Sequence, residues 1–181
     1  YLSGEINSPL DRLKKLAEVL ITYFGIAGSD LTVTRQPVKV KELVDTVLTD
    51  KARTISKKEL VVENRIDENI IFNADPGYLQ FLLTTLIENS LVFTDKRGTV
   101  TIEAAAEGEK NRLTVRDNGK GFAAEDRDLL FKPFVLPPEK RNPEGFGLNL
   151  AQAKIIVDAH DGELTAESPG PGQGAAFSLI L

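Results

Sequence analysis

Leu10, Leu13, Ala17, Leu20, Phe24 and Ala27 recur at a 3-4-3-4-3 spacing, the stripe of a coiled-coil or bundle helix. Lys14, Lys15 and Glu18 fall off that stripe, as a solvated face should. The stripe fits a helix packed on its own domain or one paired with a second helix, and its place at a terminus leans towards pairing. Gly28-Ser29-Asp30 ends the helix, and Leu31-Thr32-Val33 predicts a short strand. Pro37 leads into a second helix over about 40–55. The pattern then alternates. Strands are expected over 60–66 and 70–73. Asp75-Pro76 reads as a helix start, with an N-cap acid and proline at the first helical position. That helix runs through Leu79, Leu82, Leu83, Leu86 and Ile87 to about Phe93. Strands over 98–104 and 112–117 flank a hairpin turn at 107–111. A polar, proline-marked loop covers 133–144, and an apolar helix covers 148–158. Strands over 163–167 and 176–181, joined by the glycine-rich 169–174, close the chain. Mixed strands and helices in this order predict an α+β fold, a two-layer arrangement of a mixed sheet with helices on one face, preceded by one long N-terminal helix.

Composition narrows the chemistry. The chain has 181 residues with 22 basic and 27 acidic side chains, a net charge of −5, and no basic stripe to suit nucleic acid. Without cysteine, disulfides and thiol nucleophiles are excluded, and a single histidine, His160, excludes a multi-histidine metal site. No apolar run approaches ~18 residues, so no membrane span is expected. The chain contains no methionine and opens Tyr1-Leu2-Ser3, which reads as a segment of a longer protein. The expected setting is cytoplasmic, with any membrane anchor elsewhere in the full protein.

Three features carry candidate chemistry. Asp117-Asn118-Gly119-Lys120-Gly121-Phe122 follows an apolar strand. There a carboxylate can accept a hydrogen bond from an exocyclic amine, and the glycines let a ring lie against backbone; a plain turn is the alternative. Gly145-Phe146-Gly147-Leu148-Asn149-Leu150 opens a helix whose free amides can face phosphate oxygens, or forms only a tight entry. It lacks the third glycine of a dinucleotide fingerprint and the Gly-Lys-Ser/Thr of a P-loop. Asn89, late in the helix after Asp75, offers an amide oxygen to a hard cation, or is an ordinary helix-end polar residue.

Taken in order, these features resemble the N, G1 and G2 boxes of the histidine-kinase-type ATPase (GHKL) superfamily. Leu130-Phe131-Lys132-Pro133-Phe134 resembles its F box, and Gly170 to Gly174 followed by Phe177 its final glycine box. Arg12-Leu13, Leu16, Leu20, Ile26, Leu31 and Pro37-Val38 resemble the second helix of a sensor kinase's dimerisation and phosphotransfer domain and its link to the ATPase domain. The resemblance divides the chain into a partial helical hairpin over 1–29 and an ATP-binding catalytic domain over 30–181. The fold it implies is the Bergerat-type sandwich. Glu5-Ile6-Asn7-Ser8-Pro9-Leu10 is similar to a phosphoacceptor box, with Gly4 where histidine would stand. Leu10 to Pro37 leaves room for one long helix, so the stretch reads as the second helix only, with the phosphoacceptor helix upstream. His160, in Ala159-His160-Asp161-Gly162, is expected to be structural.

The resemblance implies ATP and Mg²⁺ as cofactors. Asp117 would bind the adenine amino group, with Gly119 and Gly121 shaping the pocket. Asn89 would ligate Mg²⁺, and Gly145, Gly147 and Leu148 would form the phosphate side. Phe131 and Phe134 would flank a mobile lid over 137–144. The implied reaction is γ-phosphoryl transfer to a histidine outside the chain. The implied partners are a phosphoacceptor helix, a response-regulator receiver domain and a second copy of the full protein, with no nucleic acid. Thr85, Val92 and Ala175 depart from residues usual in the N and final boxes, and support an alternative, a degenerate nucleotide-binding module signalling through helix pairing. Lys132, Lys140 and Arg141 are basic residues that could supply charge, or be solvated surface. A chaperone-type or DNA-repair ATPase would carry a glutamate where Thr85 stands.

Overall fold

The N-terminal stripe forms helix α1 (Pro9–Ala27) in a computed structural model that describes residues 9–28, 31–135 and 147–181. Leu10, Leu13 and Phe24 of the stripe remain exposed. The helix rests on the last helix of the domain, and Ile26 at its end packs against the core.

The residues after α1 correct one expectation. Leu31, Thr32 and Val33 form no strand; the pairing begins five residues later, in β1 (Gln36–Lys39). Pro37 is tolerated there because β1 pairs with a single strand, as an edge proline should. The helix expected over 40–55 is two helices, α2 (Val40–Asp50) and α3 (Ala52–Lys58). They part at Lys51, whose N–H is shared between the carbonyls of Val47 and Leu48 at 3.1 and 3.2 Å. That bifurcated bond breaks the one-donor, one-carbonyl ladder and lets the second helix turn away. The break also leaves Lys51 free to pair with Glu88 across the domain. α3 ends in a Schellman motif built without glycine. Glu59 is left-handed at φ 53°, and the N–H groups of Glu59 and Leu60 reach back to the Ser56 and Ile55 carbonyls at 3.0 Å each.

The remaining strands are β2 (Val61–Asn64), β3 (Ile71–Ala74), β4 (Thr99–Glu107), β5 (Lys110–Asp117), β6 (Glu163–Glu167) and β7 (Ala175–Ile180), and the helices α4 (Pro76–Phe93) and α5 (Asn149–Ala159). β1 and β3 form a two-stranded antiparallel sheet. The main sheet runs β2-β4-β5-β7-β6, parallel between β2 and β4 and antiparallel elsewhere. Period-2 alternation sets its buried face: Val100 and Ile102 on β4, and Leu113 and Val115 on β5, are fully buried. α4 and α5 pack on each other and meet that core with Leu79, Leu82, Leu83, Leu86, Ile156 and Val157. This is the expected α+β layering of a mixed sheet and helices behind one long N-terminal helix. A 3-10 turn at Ala124–Leu129 precedes the F-box segment and carries no periodic signal in the sequence.

Asp75 caps α4. One carboxylate oxygen accepts the N–H groups of Gly77 and Tyr78 at 3.0 and 3.2 Å, and the other accepts the N–H of Thr34. The Asp75 N–H in turn donates to Nε2 of buried His160, whose Nδ1 donates to the Ile156 carbonyl. His160 thus holds the end of α5 against the start of α4, a structural task.

Candidate nucleotide-binding site

Alternation along β5 buries Leu113, Val115 and then Asp117, so the carboxylate that ends the strand points into the core side of the sheet. Asp117 is 6% exposed. Its Oδ1 accepts the N–H of Gly119 at 2.9 Å and of Ala175 at 3.3 Å; its Oδ2 accepts the Ser90 hydroxyl at 3.1 Å. One side chain therefore ties together β5, β7 and α4. Ser90 lies one helical turn past Leu86 and two past Leu83, on the buried stripe of α4. That spacing was the available signal for Ser90, which sequence reasoning passed over in favour of its neighbour Asn89.

The loop beyond Asp117 is seated on backbone. The Lys120 N–H donates to the Phe93 carbonyl at 3.0 Å, and a methyl placed on Gly119 would lie 2.2 Å from that same oxygen. Only a residue without a Cβ fits there. The loop is also zipped to the β6–β7 connection, by Gly174 N–H to the Gly119 carbonyl at 2.9 Å and Gly172 N–H to the Lys120 carbonyl at 2.6 Å. Ser168, also passed over and without a sequence signal of its own, donates to the Gly174 carbonyl and accepts the Phe122 N–H. The G1-like and final glycine-rich segments, distant in sequence, form one backbone-lined wall beside a buried carboxylate. Gly121, at φ 55°, is part of it.

Asn89 precedes Ser90 in the last two turns of α4. Its Nδ2 is buried with no hydrogen-bond partner among the described residues. That atom commits the carboxamide to no structural bond. Gly147 has φ 67°, its carbonyl accepts the Phe134 N–H at 3.1 Å, and buried Leu148 is the N-cap residue of α5. Among the described residues no side chain caps that helix start. Phe131 packs against the core, whereas Phe134 is exposed and meets Tyr23 of α1 edge-on at 6.1 Å between ring centres. Lys132 is exposed. Gly145, the expected lid over 137–144, Lys140 and Arg141 lie outside the described residues. Of the departures noted in the sequence, Thr85 and Ala175 are buried while Val92 is exposed.

Residues 74–181 match the family described as histidine kinase-, DNA gyrase B-, and HSP90-like ATPase, and the chain belongs to that family. Its relatives add the N-terminal helix. The sensor protein GacS of Pseudomonas syringae pv. syringae is 28% identical over 187 residues, taking in 98% of this chain and 20% of GacS. Full-length ShkA, solved in complex with AMPPNP, has a TM-score of 0.82 at 24% identity over 93% of this chain and 35% of its own. ThkA, solved in complex with the response regulator protein TrrA, has a TM-score of 0.78 at 20% identity over 95% of this chain and 48% of its own. These likenesses fix the fold. The chain spans about a fifth of the length of GacS.

Proposed function

We propose that this chain is the ATP-binding catalytic region of a sensor histidine kinase, with residues 1–29 as the second helix of a dimerisation hairpin and 30–181 as the nucleotide-binding domain. The observation that carries the reading is the buried Asp117 carboxylate at the end of β5, beside a wall of backbone that glycine allows to pack closely. A 6-amino group on a purine is a donor that such an oxygen accepts. Gly119 and Gly121 let the loop close onto the end of α4 and the β6–β7 connection and so shape the pocket wall. Gly145, Gly147, Leu148 and the start of α5 would form the phosphate side, where free amides and the helix dipole favour anions.

Asn89 fits Mg²⁺. Its amide oxygen is a hard-cation ligand, and Mg²⁺ ordinarily takes one or two protein ligands beside substrate phosphates and water. A bound Mg²⁺ would neutralise charge on the phosphates. The chain's own residues then position: Asp117 fixes the purine, α5 the phosphate end, and the γ-phosphoryl group is held for in-line attack. An imidazole nitrogen outside this chain forms the N–P bond, the bond from Pγ to its bridging oxygen breaks, and ADP leaves with those electrons.

The exposed Leu10, Leu13 and Phe24 support helix pairing in a homodimer, with the phosphoacceptor helix as neighbour. ThkA's complex with TrrA supports a response-regulator receiver domain as the onward partner. ATP and such a partner support a cytoplasmic setting for this region. No helix of the described residues is long and apolar enough to cross a membrane. The degenerate module is the weaker reading, since the matched relatives carry sensor-kinase names.

Two measurements test the proposal. A fluorescent ATP analogue should bind in the micromolar-to-millimolar range, more tightly with Mg²⁺ than with EDTA, and Asn89→Ala should remove that difference. The full protein given γ-labelled ATP should carry acid-labile label on histidine. Binding without any labelled histidine would leave only the degenerate module.

A further inference from the structure

We propose that Lys58 is a positioning residue for the purine end of the pocket, acting from α3 through the last turn of α4. The inference rests on the nucleotide-site reading above and adds a residue to it.

A lysine ammonium has three N–H donors. Lys58 spends all three on backbone, donating to the carbonyls of Leu91 at 2.7 Å, Val92 at 2.9 Å and Thr94 at 2.7 Å. Carbonyls at a helix C-terminus have no partner within the helix, and a cation there is favoured by the dipole. The neighbouring acceptors are accounted for as well. The Ser90 carbonyl takes the Thr94 hydroxyl at 2.6 Å and the Thr94 N–H at 2.9 Å. The Phe93 carbonyl takes the Lys120 N–H and is the surface against which Gly119 is packed. The end of α4 is thus divided between Lys58 and the loop that follows Asp117.

The arrangement is anchored on the other side too. The Lys58 carbonyl accepts the Arg97 N–H at 2.9 Å, tying α3 to the turn after α4. Burial pushes the Lys58 ammonium below its ordinary range, against the pull of Asp95 and with the push of Lys120. Without those three donors, the carbonyls on either side of Phe93 would turn to water. The last turn would open, and the Phe93 carbonyl would no longer seat Lys120 and Gly119. The loop that lines the purine pocket would lose its floor, although Lys58 itself touches no nucleotide.

The test uses Lys58→Met, which keeps the apolar stem, and Lys58→Arg, which keeps charge and donors. Backbone amide exchange is followed in the ligand-free chain, and ADP affinity is measured by titration. Lys58→Met should speed exchange at Lys120 and Gly119 at least tenfold while β6 amides stay unchanged. It should weaken ADP at least tenfold at a temperature where the chain is folded. Lys58→Arg should restore most of both. If Lys58→Met does not fold, Lys58→Gln must show the same local loosening in milder form. Faster exchange confined to α4, or unchanged ADP affinity alongside a lowered melting temperature, would make Lys58 a helix cap only and overturn the proposal. Should the wild-type chain bind no ADP at all, the nucleotide reading fails, while the exchange at Lys120 still decides whether Lys58 seats the loop.

Discussion

Asp117→Asn is expected to weaken ADP binding roughly 30- to 150-fold, about 2–3 kcal/mol for a hydrogen bond to a charged group, with the fold intact. The fold survives because asparagine can repeat the internal bonds. Its oxygen can accept the Gly119 and Ala175 N–H groups that Asp117 Oδ1 now accepts. Its NH₂ can donate to the Ser90 hydroxyl, which turns from donor to acceptor. What asparagine cannot do is present a second acceptor to an incoming amine; it sets a donor against a donor. Titration calorimetry with ADP and a melting curve on the same variant separate the two effects. A large fall in melting temperature with affinity preserved would assign Asp117 to the fold rather than to the ligand.

Gly174→Ala is expected to cost roughly 3 kcal/mol of stability and to abolish nucleotide binding, from a left-handed backbone and a steric clash together. Gly174 has φ 76°, and a methyl there would lie 2.1 Å from the Asp117 carbonyl oxygen. The neighbour is backbone in a paired strand, so relief requires β5 and β7 to part where Asp117 and Ala175 face each other in register. In a domain of this size the loss corresponds to a fall of roughly 6–12 °C in melting temperature. Gly108→Ala supplies the control. It has φ 64° but nothing within 4 Å of the added methyl, so only the backbone cost of about 1 kcal/mol applies. Equal effects of the two variants would show that the Gly174 contact is not tight.

Much of this was legible in the sequence where local chemistry and periodicity agreed. Asp75-Pro76 announced a capped helix, and Asp75 does cap α4. The alternation through Leu113 and Val115 carried Asp117 to the buried face, and a lone histidine before Asp-Gly became a buried link between two helices. Other features depended on partners that the sequence does not place side by side. Leu31-Thr32-Val33 has strand composition, but the strand that pairs with β3 is Gln36–Lys39, so tertiary register outweighed propensity. The 40–55 segment reads as one helix because the break at Lys51 contains neither glycine nor proline. Lys58, in Ser56-Lys57-Lys58-Glu59, looks like a solvated charge run, and only the fold brings the end of α4 within its reach. Ser90 and Ser168 are ordinary residues whose importance lies in what they face.

The central claim, that the Asp117 carboxylate takes the amino group of a purine, is tested most directly by comparing ADP with IDP on the wild-type chain. The two ligands differ at the purine 6-position, where an amino donor becomes a carbonyl acceptor. ADP should bind at least tenfold more tightly than IDP, and Asp117→Asn should erase that preference. Equal affinity of the wild-type chain for the two nucleotides would contradict it.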